Sequence, residues 1–444
     1  MADIYVDPSA ATNGSGSEAS PRTIWPTSIG ANDRILLKRG TTLAVAAQLS
    51  LGAGSSVTVM DYGDAALPRP RITSTATNFG SINVDVAGVV RFRNIHFDQF
   101  LNGSTNGAVI VASPVAAGRV AQLDIQGCRF SSCAWNAIRL NGTNTATAAL
   151  TFRCVGNEFD DIGEDCVFGG ALDVEFAYNR CTRLSSRTLT GDGLGFINAD
   201  PVRVWVHPNY IDHSLTDCKQ CVIVDCTTPG AGEVIIEDNV LIGFGSATAA
   251  PTLHSVIISE GKTKIRRNTI YAYGIVCGIN NAQDEIADNL IYLGNNAAAI
   301  GPPIAIAADG KVLNNTIIGV GSLPANTPAI VMGSGATAAA IVRNNAFINL
   351  PRGIQSNVAA GVNPTVGTNA YWQVPTPRTG TTGAFAEASA ITADPKLAAD
   401  GRPMPGSSLI RAGTHAGYRR DRARTQRSNP PCIGAFDVAR VRLA

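Results

Sequence analysis

The chain has little charge, few aromatic residues and no long hydrophobic run. Of its 444 residues, 16% are charged and 6% are aromatic, and the formal net charge is only +1. A chain with so little excess charge lacks the electrostatic footprint of a nucleic-acid-binding protein, so we expect no DNA or RNA partner. No run of about 18 apolar residues occurs, and we therefore expect no insertion into a membrane.

The sequence also lacks a signal peptide and a metal-ligand pattern. It begins Met-Ala-Asp-Ile-Tyr, without a basic segment followed by an apolar run, which indicates no Sec export. Most of the ten cysteines stand in strand-like runs, where a reduced cysteine acts as a small hydrophobe and fits synthesis in a reducing cytoplasm. Cys218, Cys221 and Cys226 have no second Cys or His pair at suitable spacing. We expect no zinc, no other metal and no cofactor.

What is abundant favours short strands and tight turns. Hydrophobic residues make up 45% of the chain, enough for a large core, and there are 45 glycines. Alanine, asparagine and threonine are also frequent, which suits turns better than long amphipathic helices. The composition predicts a folded and mostly β protein.

An asparagine recurs through the middle of the chain at intervals of 21 to 30 residues. Two residues after each one comes an apolar or small side chain, which predicts one coil repeated many times, as in a β-solenoid. The asparagine is predicted to be structural, since its short amide tolerates a left-handed turn and can bond the next asparagine in a ladder. The repeat consists of Asn157, Asn179, Asn209, Asn239, Asn268, Asn289, Asn315 and Asn345, followed respectively by Phe159, Cys181, Ile211, Leu241, Ile270, Ile291, Ile317 and Phe347.

Three regions are predicted along the chain. Residues 1–50 form an N-terminal cap and first coil, because an open solenoid end would expose unpaired backbone. Residues 51–358 form the coils, where the repeat can be followed. Residues 359–444 form a C-terminal segment that is rich in Pro, Thr and Gly and then in arginine, with a role in capping or oligomerisation. The more specific alternatives for its arginines are a subunit contact or the binding of an anionic polymer.

Short phrases near both ends resemble the pectate lyase-like right-handed parallel β-helix superfamily. They are Tyr5-Val6-Asp7-Pro8 with Asn13-Gly14-Ser15, the strand phrase of residues 33–40, and the closing Ile433-Gly434-Ala435-Phe436-Asp437. The resemblance implies an all-β fold, a right-handed parallel β-helix with an N-terminal cap and an irregular or β-rich C-terminal segment.

The superfamily consists chiefly of polysaccharide lyases and glycoside hydrolases, and it includes bacteriophage tailspike depolymerases. The missing signal peptide favours the phage group. The resemblance therefore implies a homotrimer of the virion tail, made in the host cytoplasm, that binds and cleaves a bacterial capsule or O-antigen.

Aligning the strands that precede each repeat predicts a column of polar side chains. In register stand Asn136, Asp165, Asp192, Gln220 and His254, with Trp135, Glu164 and Lys219 alongside. Coils about 4.8 Å apart would bring the two aspartates close together if both face outward. One carboxyl pKa should then rise, which supplies the acid and the carboxylate that glycosidic cleavage requires.

These residues are our candidate catalytic and binding groups. We predict Asp165 and Asp192 as the catalytic pair with Glu164 assisting, and Trp135, Asn136, Lys219 and His254 as substrate-binding groups. Gly163-Glu164-Asp165 resembles the Gly-Asp-Asp motif of polygalacturonase-type hydrolases. Alternatively, the acids merely bond turn amides or pair with Arg183 and Arg187, of which Arg187 is also a candidate substrate ligand.

Two further polar sets are candidate substrate ligands. One is the corner of residues 210–213 and 217–219, stacked over residues 160–161 and Arg183. It contains His213 and Asp217, and we expect the histidine at an exposed turn, where it could serve as a general base or be polar surface only. The other contains Asp225, whose alternative role is to bond a turn.

Three functions follow from these residues. The first is endo-glycosidic hydrolysis by the carboxylate pair. The second is β-elimination on a uronic acid, with Lys219 or His213 taking the C5 proton. The third is a non-catalytic spike or adhesin whose groove binds glycan and whose acids are structural.

Overall fold

The computed structural model describes the chain except for residues 52–55, 75–81, 87, 102–107, 115–120, 142–149, 185, 187–190, 198–199, 215–219, 229, 244–255, 273–276, 280, 295–302, 381–386, 388, 419 and 438–444. The described residues contain β-strands, turns and bends but no α-helix. None of their segments is a helix long and apolar enough to cross a membrane. The chain divides into two compact units, residues 1–232 and 233–444.

The strands of the first unit are short and regularly spaced. They are β1 (Asp3–Val6), β2 (Arg34–Lys38), β3 (Thr42–Val45), β4 (Leu49–Ser50), β5 (Val57–Tyr62), β6 (Arg71–Ser74), β7 (Ile82–Val86), β8 (Val89–Arg93), β9 (His96–Asp98), β10 (Ala108–Pro114), β11 (Ala121–Gln126), β12 (Arg129–Cys133), β13 (Asn136–Asn141), β14 (Leu150–Val155), β15 (Glu158–Ile162), β16 (Val167–Gly170), β17 (Asp173–Ala177), β18 (Arg180–Leu184), β19 (Leu194–Ile197), β20 (Arg203–Val206), β21 (Tyr210–Asp212) and β22 (Val222–Asp225).

The second unit continues the same pattern. Its strands are β23 (Glu233–Glu237), β24 (Val240–Gly243), β25 (Ile257–Ser259), β26 (Lys262–Arg266), β27 (Thr269–Ala272), β28 (Cys277–Ile279), β29 (Glu285–Ala287), β30 (Leu290–Leu293), β31 (Ile304–Ile306), β32 (Lys311–Leu313), β33 (Thr316–Gly319), β34 (Pro328–Met332), β35 (Ile341–Arg343), β36 (Ala346–Ile348), β37 (Arg352–Ser356), β38 (Thr365–Gly367), β39 (Ala370–Trp372) and β40 (Thr376–Gly380).

Three parallel sheets run through the first unit. The first sheet has the order β1-β2-β5-β8-β11-β14-β17-β20, the second β4-β7-β10-β13-β16-β19-β22, and the third β3-β6-β9-β12-β15-β18-β21. Neighbours in a sheet come from successive coils, so each coil adds one strand to each sheet. This is the predicted all-β parallel β-helix, in which columns of the sequence become columns in space.

The second unit has the same plan. Its first sheet is β23-β26-β29-β32-β35-β38, its second β28-β31-β34-β37-β40 and its third β24-β27-β30-β33-β36-β39. Strands β38 to β40 lie beyond residue 358, where the sequence repeat was expected to end. The division into a cap, coils and a C-terminal segment stays a prediction.

Aromatic side chains stack inside the first unit. Phe97, Phe130 and Phe159 occupy equivalent positions of β9, β12 and β15 and are fully buried. Their ring centroids are 4.9 Å apart for Phe97 and Phe130, and 5.0 Å apart for Phe130 and Phe159. Phe159 is one of the side chains predicted to form the core ladder. All eight of those predicted side chains are buried.

The asparagines form the expected ladder. In the second unit, the Oδ1 atom of Asn289 accepts the backbone N–H of Asn268 at 2.9 Å, while its Nδ2 atom donates to the Ile265 carbonyl at 2.9 Å and to Asn315 Oδ1 at 3.0 Å. The ladder continues past Asn345 to Asn369, which the sequence repeat missed. The amide therefore satisfies two buried backbone groups of the preceding coil and links to the side chain of the following one.

The left-handed turn belongs to the residue before the ladder asparagine at every rung except Asn209, which follows Pro208. Asp238, Arg267 and Asp288 have φ values of 60°, 59° and 58° and directly precede Asn239, Asn268 and Asn289. The expectation that the ladder asparagine itself would take this conformation was wrong, because its side chain must point into the core to reach the adjacent coils.

The C-terminal segment packs against the third sheet of the second unit. Leu409 and Ile433 are buried with Ala346, Ile348 and Ala370. The burial of apolar side chains on both sides explains why this proline-rich region is ordered without long strands of its own.

Candidate functional site

The predicted polar column is real, but most of it faces the interior. The registers of β13, β16, β19 and β22 align Asn136, Asp165, Asp192 and Gln220. Asn136, Asp165 and Gln220 are buried, and Asp165 is only 2% exposed. His254, the fifth predicted member, lies outside the described residues.

The column is a second hydrogen-bonded ladder. Asn136 Oδ1 accepts the backbone N–H of Asp165 at 3.0 Å. Asp165 Oδ1 in turn accepts the backbone N–H of Asp192, and Asp192 Oδ1 accepts that of Gln220 at 3.2 Å. The condition on which the prediction depended, that both aspartates face outward, is therefore not met by Asp165. Its carboxylate supports the backbone of the next coil.

Asp192 and Glu164 are the more accessible acids of this corner. Both side chains are partly exposed. Asp192 Oδ2 stands 3.8 Å from the position that a Cβ atom on Gly195 would take. Gly195 shares its register position with the partly exposed Phe168 and Ile223, so this oxygen lies toward the outer face of the second sheet.

Trp135 stands opposite Glu164 in the adjacent coil. Extending the register of β13 and β16 by three residues pairs these two positions, and the indole is partly exposed. The coils approach closely here, because a Cβ atom on Gly163 would lie 1.9 Å from the Ala134 carbonyl oxygen. We name Trp135, Glu164 and Asp192 the acidic corner.

Of the remaining predicted ligands, the structure describes Asp225 and His213. Asp225 ends β22 and is partly exposed. His213 is 1% exposed, and burial lowers its pKa to about 3, so its imidazole is neutral and shielded from solvent. The expectation that it stands at an exposed turn was wrong, because the side chain points inward toward Gly193, 3.0 Å from that residue's would-be Cβ. Lys219, Asp217 and Arg187 lie outside the described residues.

A charged cleft of about 390 Å³ lies on the outer face of the third sheet, on the strands that lead to the acidic corner. We name it the charged cleft. It is lined by Arg129, Glu158, Phe159, Asp160, Arg180, Thr182, Arg183 and Asp212. Asp160, Arg183 and Asp212 belong to the corner cluster expected from the sequence, whereas the others were missed.

Asp160 is held ionised in the charged cleft. Arg183 donates to it through Nε at 2.8 Å and Nη2 at 2.6 Å, and Thr182 donates through its hydroxyl at 3.0 Å. The hydrogen bond from Arg183 is the main reason that the pKa of Asp160 is lowered. An acid held in this way cannot donate a proton at neutral pH, so Asp160 suits binding and not general acid catalysis.

An aromatic residue outside the cleft lining contacts two of the lining residues. The guanidinium of Arg180 lies 4.7 Å from the ring centroid of Tyr210, and the tyrosine hydroxyl donates to Asp212 at 2.8 Å. Burial tends to raise the pKa of Asp212, but hydrogen bonds from Ser214 and Tyr210 outweigh it, and the pKa is lowered. Cations, hydroxyls and an aromatic face are thus presented together, as in sites for polar ring-shaped ligands.

The residues in and beside the cleft, both those expected from the sequence and those missed, had a readable signal. Glu158, Arg180 and Tyr210 each directly follow a ladder asparagine, and Asp160, Thr182 and Asp212 come two residues later. Since the residue between them points into the core, strand alternation places both positions on the outer face. No cluster of three or more potential metal ligands occurs within the part of the chain that the structure describes.

Comparisons with known proteins give resemblances in structure only. No protein-family model matches the chain, and no curated protein matches its sequence. The pectate lyase Pel9A is 14% identical with a TM-score of 0.29, covering 98% of this chain and 96% of that one. The lacto-N-biosidase of family GH136 from Eubacterium ramulus is 11% identical with a TM-score of 0.35, covering 87% of this chain and 68% of that one. The Dettilon tailspike protein is 12% identical with a TM-score of 0.29, covering 71% of this chain and 62% of that one.

Proposed function

We propose that the protein binds a bacterial surface polysaccharide along the outer face of the first unit and cleaves it by endo-glycosidic hydrolysis. The observation that carries the proposal is the acidic corner, with the partly exposed Trp135 and Glu164 on adjacent coils and the partly exposed Asp192 on the next coil, following the third sheet whose outer face forms the charged cleft. Binding groups and candidate reacting groups thus belong to the same coils.

In this mechanism Glu164 and Asp192 are the reacting carboxylates. One serves as the proton donor to the leaving oxygen while the other acts as nucleophile or as base for water. Trp135 would stack against a sugar ring. Asp165, which we first predicted as catalytic, acts instead as a positioning residue that holds the backbone of Asp192.

Hydrolysis is favoured over β-elimination by the burial of His213. A general base must reach the proton that it abstracts, and an imidazole that is 1% exposed is out of reach of a polymer on the surface. Lyase activity through Lys219 and a purely binding spike remain the alternatives that the experiment must separate.

The test is incubation with a panel of purified bacterial capsules and O-antigens. Size-exclusion chromatography measures chain shortening, a reducing-end assay counts the cuts, and ultraviolet absorbance detects the unsaturated uronate that only a lyase leaves. Hydrolysis predicts shortening and reducing ends without the absorbance. Shortening with absorbance would establish a lyase, and binding without shortening would establish a spike.

Three variants assign the roles of the acids. Glu164→Gln and Asp192→Asn should each lower the rate of polysaccharide cleavage by a factor of about 10² or more, which is the usual loss when a general acid or base is removed. Asp165→Asn should keep most of the activity, because an amide oxygen can accept the Asp192 N–H as Asn136 does for Asp165. Asp173→Asn is the control, since this acid pairs with Arg203 on the first sheet. Loss of activity in Asp165→Asn alone would return the catalytic role to Asp165.

We further propose that the protein is a homotrimer carried on a phage tail. The sequence resemblance to tailspike depolymerases supports this setting. Detection of the chain in purified virions would test the location, and the mass of the assembly is considered below.

A further inference from the structure

A second cleft, of about 460 Å³, lies wholly within the second unit, between its third sheet and the C-terminal segment. We name it the C-terminal cleft. One wall comes from the outer faces of β27 and β30, and the other from the loops around residues 399–402 and 422–423. Such a volume is within the range of small-ligand sites.

Aromatic rings form one wall and the floor of the C-terminal cleft. Tyr271 and Tyr292 occupy equivalent positions on β27 and β30, and their rings stack with centroids 4.8 Å apart and planes 11° from parallel. Phe436 is buried at the floor beside Leu290. The tyrosine faces that stack on each other are covered, and the remaining ring surfaces together with Phe436 provide apolar contact area for a sugar ring.

The lining carries more positive than negative charge. Three arginines line the cleft, Arg267, Arg402 and Arg422, against two aspartates, Asp238 and Asp400. Arg267 and Asp238 pair with each other at 2.9 Å, and Arg402 and Asp400 pair at 3.1 Å. This leaves Arg422 as the lining charge without a carboxylate partner among the described residues.

Arg422 is held in place by neutral groups. Its Nη1 atom donates to the Arg267 carbonyl and its Nη2 atom to the Thr269 hydroxyl. Burial lowers its pKa to about 10, as expected for a cation whose charge is incompletely compensated. The guanidinium groups of Arg402 and Arg422 stand 5.5 Å and 5.8 Å from the Phe436 ring centroid, so both converge on the cleft floor.

We propose that the C-terminal cleft binds a carboxylate-bearing sugar residue, with its ring against Tyr271 and Tyr292 and its carboxylate at Arg422 and Arg402. An anion would compensate the charge of Arg422, and a guanidinium is the side chain best suited to hold a carboxylate. The inference goes beyond the proposed hydrolysis, since it involves neither Glu164 nor Asp192 and predicts binding whether or not the protein cleaves glycans.

The first experiment compares two disaccharides that differ at one group, which is a carboxylate in one and a neutral hydroxymethyl in the other. Isothermal titration calorimetry on the full chain would measure the affinity for cellobiouronic acid, which carries one carboxylate, and for neutral cellobiose. We expect the acid to bind at least about tenfold more tightly, with the difference shrinking as salt is added. Equal affinity, or no binding of the acid, would overturn the proposal.

Variants locate the binding. Arg422→Lys keeps the charge but loses the planar donor pair, and Tyr271→Leu removes part of the aromatic stack. Each variant should lower the affinity for cellobiouronic acid by about tenfold. Arg402→Gln should weaken it about two- to fivefold, as for an exposed ion pair. Arg411→Lys, an exposed arginine of the same segment outside the cleft, is the matched control.

A separate variant distinguishes this site from the acidic corner. The double variant Glu164→Gln with Asp192→Asn should bind cellobiouronic acid like the parent even if it has lost all cleavage. If this double variant loses the binding while Arg422→Lys and Tyr271→Leu keep it, the disaccharide occupies the first unit and the C-terminal cleft is not its site.

Discussion

At the scale of single residues, buried amide side chains hydrogen-bond backbone groups at the turns, where the sheets supply no hydrogen bonds. Asn268, Asn289 and Asn315 are fully buried, and each bonds backbone groups of adjacent coils. At another corner the side-chain oxygens of Asn136 and Asp165 accept backbone N–H groups of the following coil, the opposite direction to the asparagine ladder. At the end of the asparagine ladder, Glu387 accepts from Asn369 in place of another asparagine.

Removing one rung of the asparagine ladder should be costly. Asn289→Ala leaves the Asn268 N–H and the Ile265 carbonyl buried without their side-chain partner, and each such loss costs about 1–3 kcal/mol. We expect the free energy of unfolding, measured with urea, to fall by about 3 kcal/mol or more. Asn363→Ala, at an exposed asparagine, should change it by less than about 0.5 kcal/mol. Equal effects of the two substitutions would contradict a structural ladder.

His213 should make the protein less stable in acid. The folded chain holds this imidazole neutral down to a pKa of about 3, whereas its ordinary value is 6.5. Below pH 6.5 the unfolded chain therefore binds a proton at His213 that the folded chain does not bind. The folded state loses stability as the pH falls, until it reaches about 3. The slope contributed by this group is about 1.4 kcal/mol per pH unit at most.

The measurement is the free energy of unfolding at several pH values for the parent and for His213→Gln. The variant should show a shallower decline between pH 6.5 and 3, since glutamine does not titrate. Parallel curves would show that other groups govern the acid response.

At the scale of structural elements, the arginine-rich segment is largely occupied by docking within its own unit. The Arg427 side chain is 3% exposed and forms a buried ion pair with Asp288 of the turn before β30. Its Nη2 atom also donates to the Gly434 carbonyl at 3.2 Å. Arg424 pairs with Asp238 at 2.8 Å but is well exposed. The segment is thus fastened to the coils by one buried pair and one exposed pair.

The two pairs should differ in energy. Arg427→Ala leaves Asp288 buried without its partner and should lower the free energy of unfolding by about 3–5 kcal/mol. Arg424→Ala, the matched control, breaks an exposed pair and should cost less than about 1 kcal/mol. Limited proteolysis should release the C-terminal segment of the first variant but not of the second. Similar stability of both variants would contradict docking through Arg427.

At the scale of the whole molecule, the sequence resemblance to tailspikes predicts a homotrimer. The expectation drew partly on the basic tail, yet Arg422, Arg424 and Arg427 bond groups of the second unit instead. The trimer therefore depends on the resemblance. Multi-angle light scattering should give a molar mass three times the 46.1 kDa of one chain. A molar mass of one chain at micromolar concentration would contradict the prediction.

The repeat by itself determined the fold and the register of the coils. Asparagine spacing and the apolar residue two positions later predicted a β-solenoid and its buried core ladder, and aligning the strands before each repeat predicted the column of Asn136, Asp165, Asp192 and Gln220; the parallel β-helix was implied by the family resemblance. These features are readable because a strand alternates with a period of two, and stacked coils turn sequence columns into spatial columns.

Tertiary structure alone decided which outward-facing side chains share a cleft and what the C-terminal segment covers. Asp165 and His213, by contrast, turn inward as strand alternation dictates, since Asp165 stands two positions before the buried Val167 and His213 two positions after the buried Ile211. The C-terminal cleft brings Tyr271 and Tyr292 to within reach of Arg402 and Arg422, residues more than a hundred positions later in the chain. No local pattern encodes such a contact, since it depends on where a non-repeating segment folds back onto the coils.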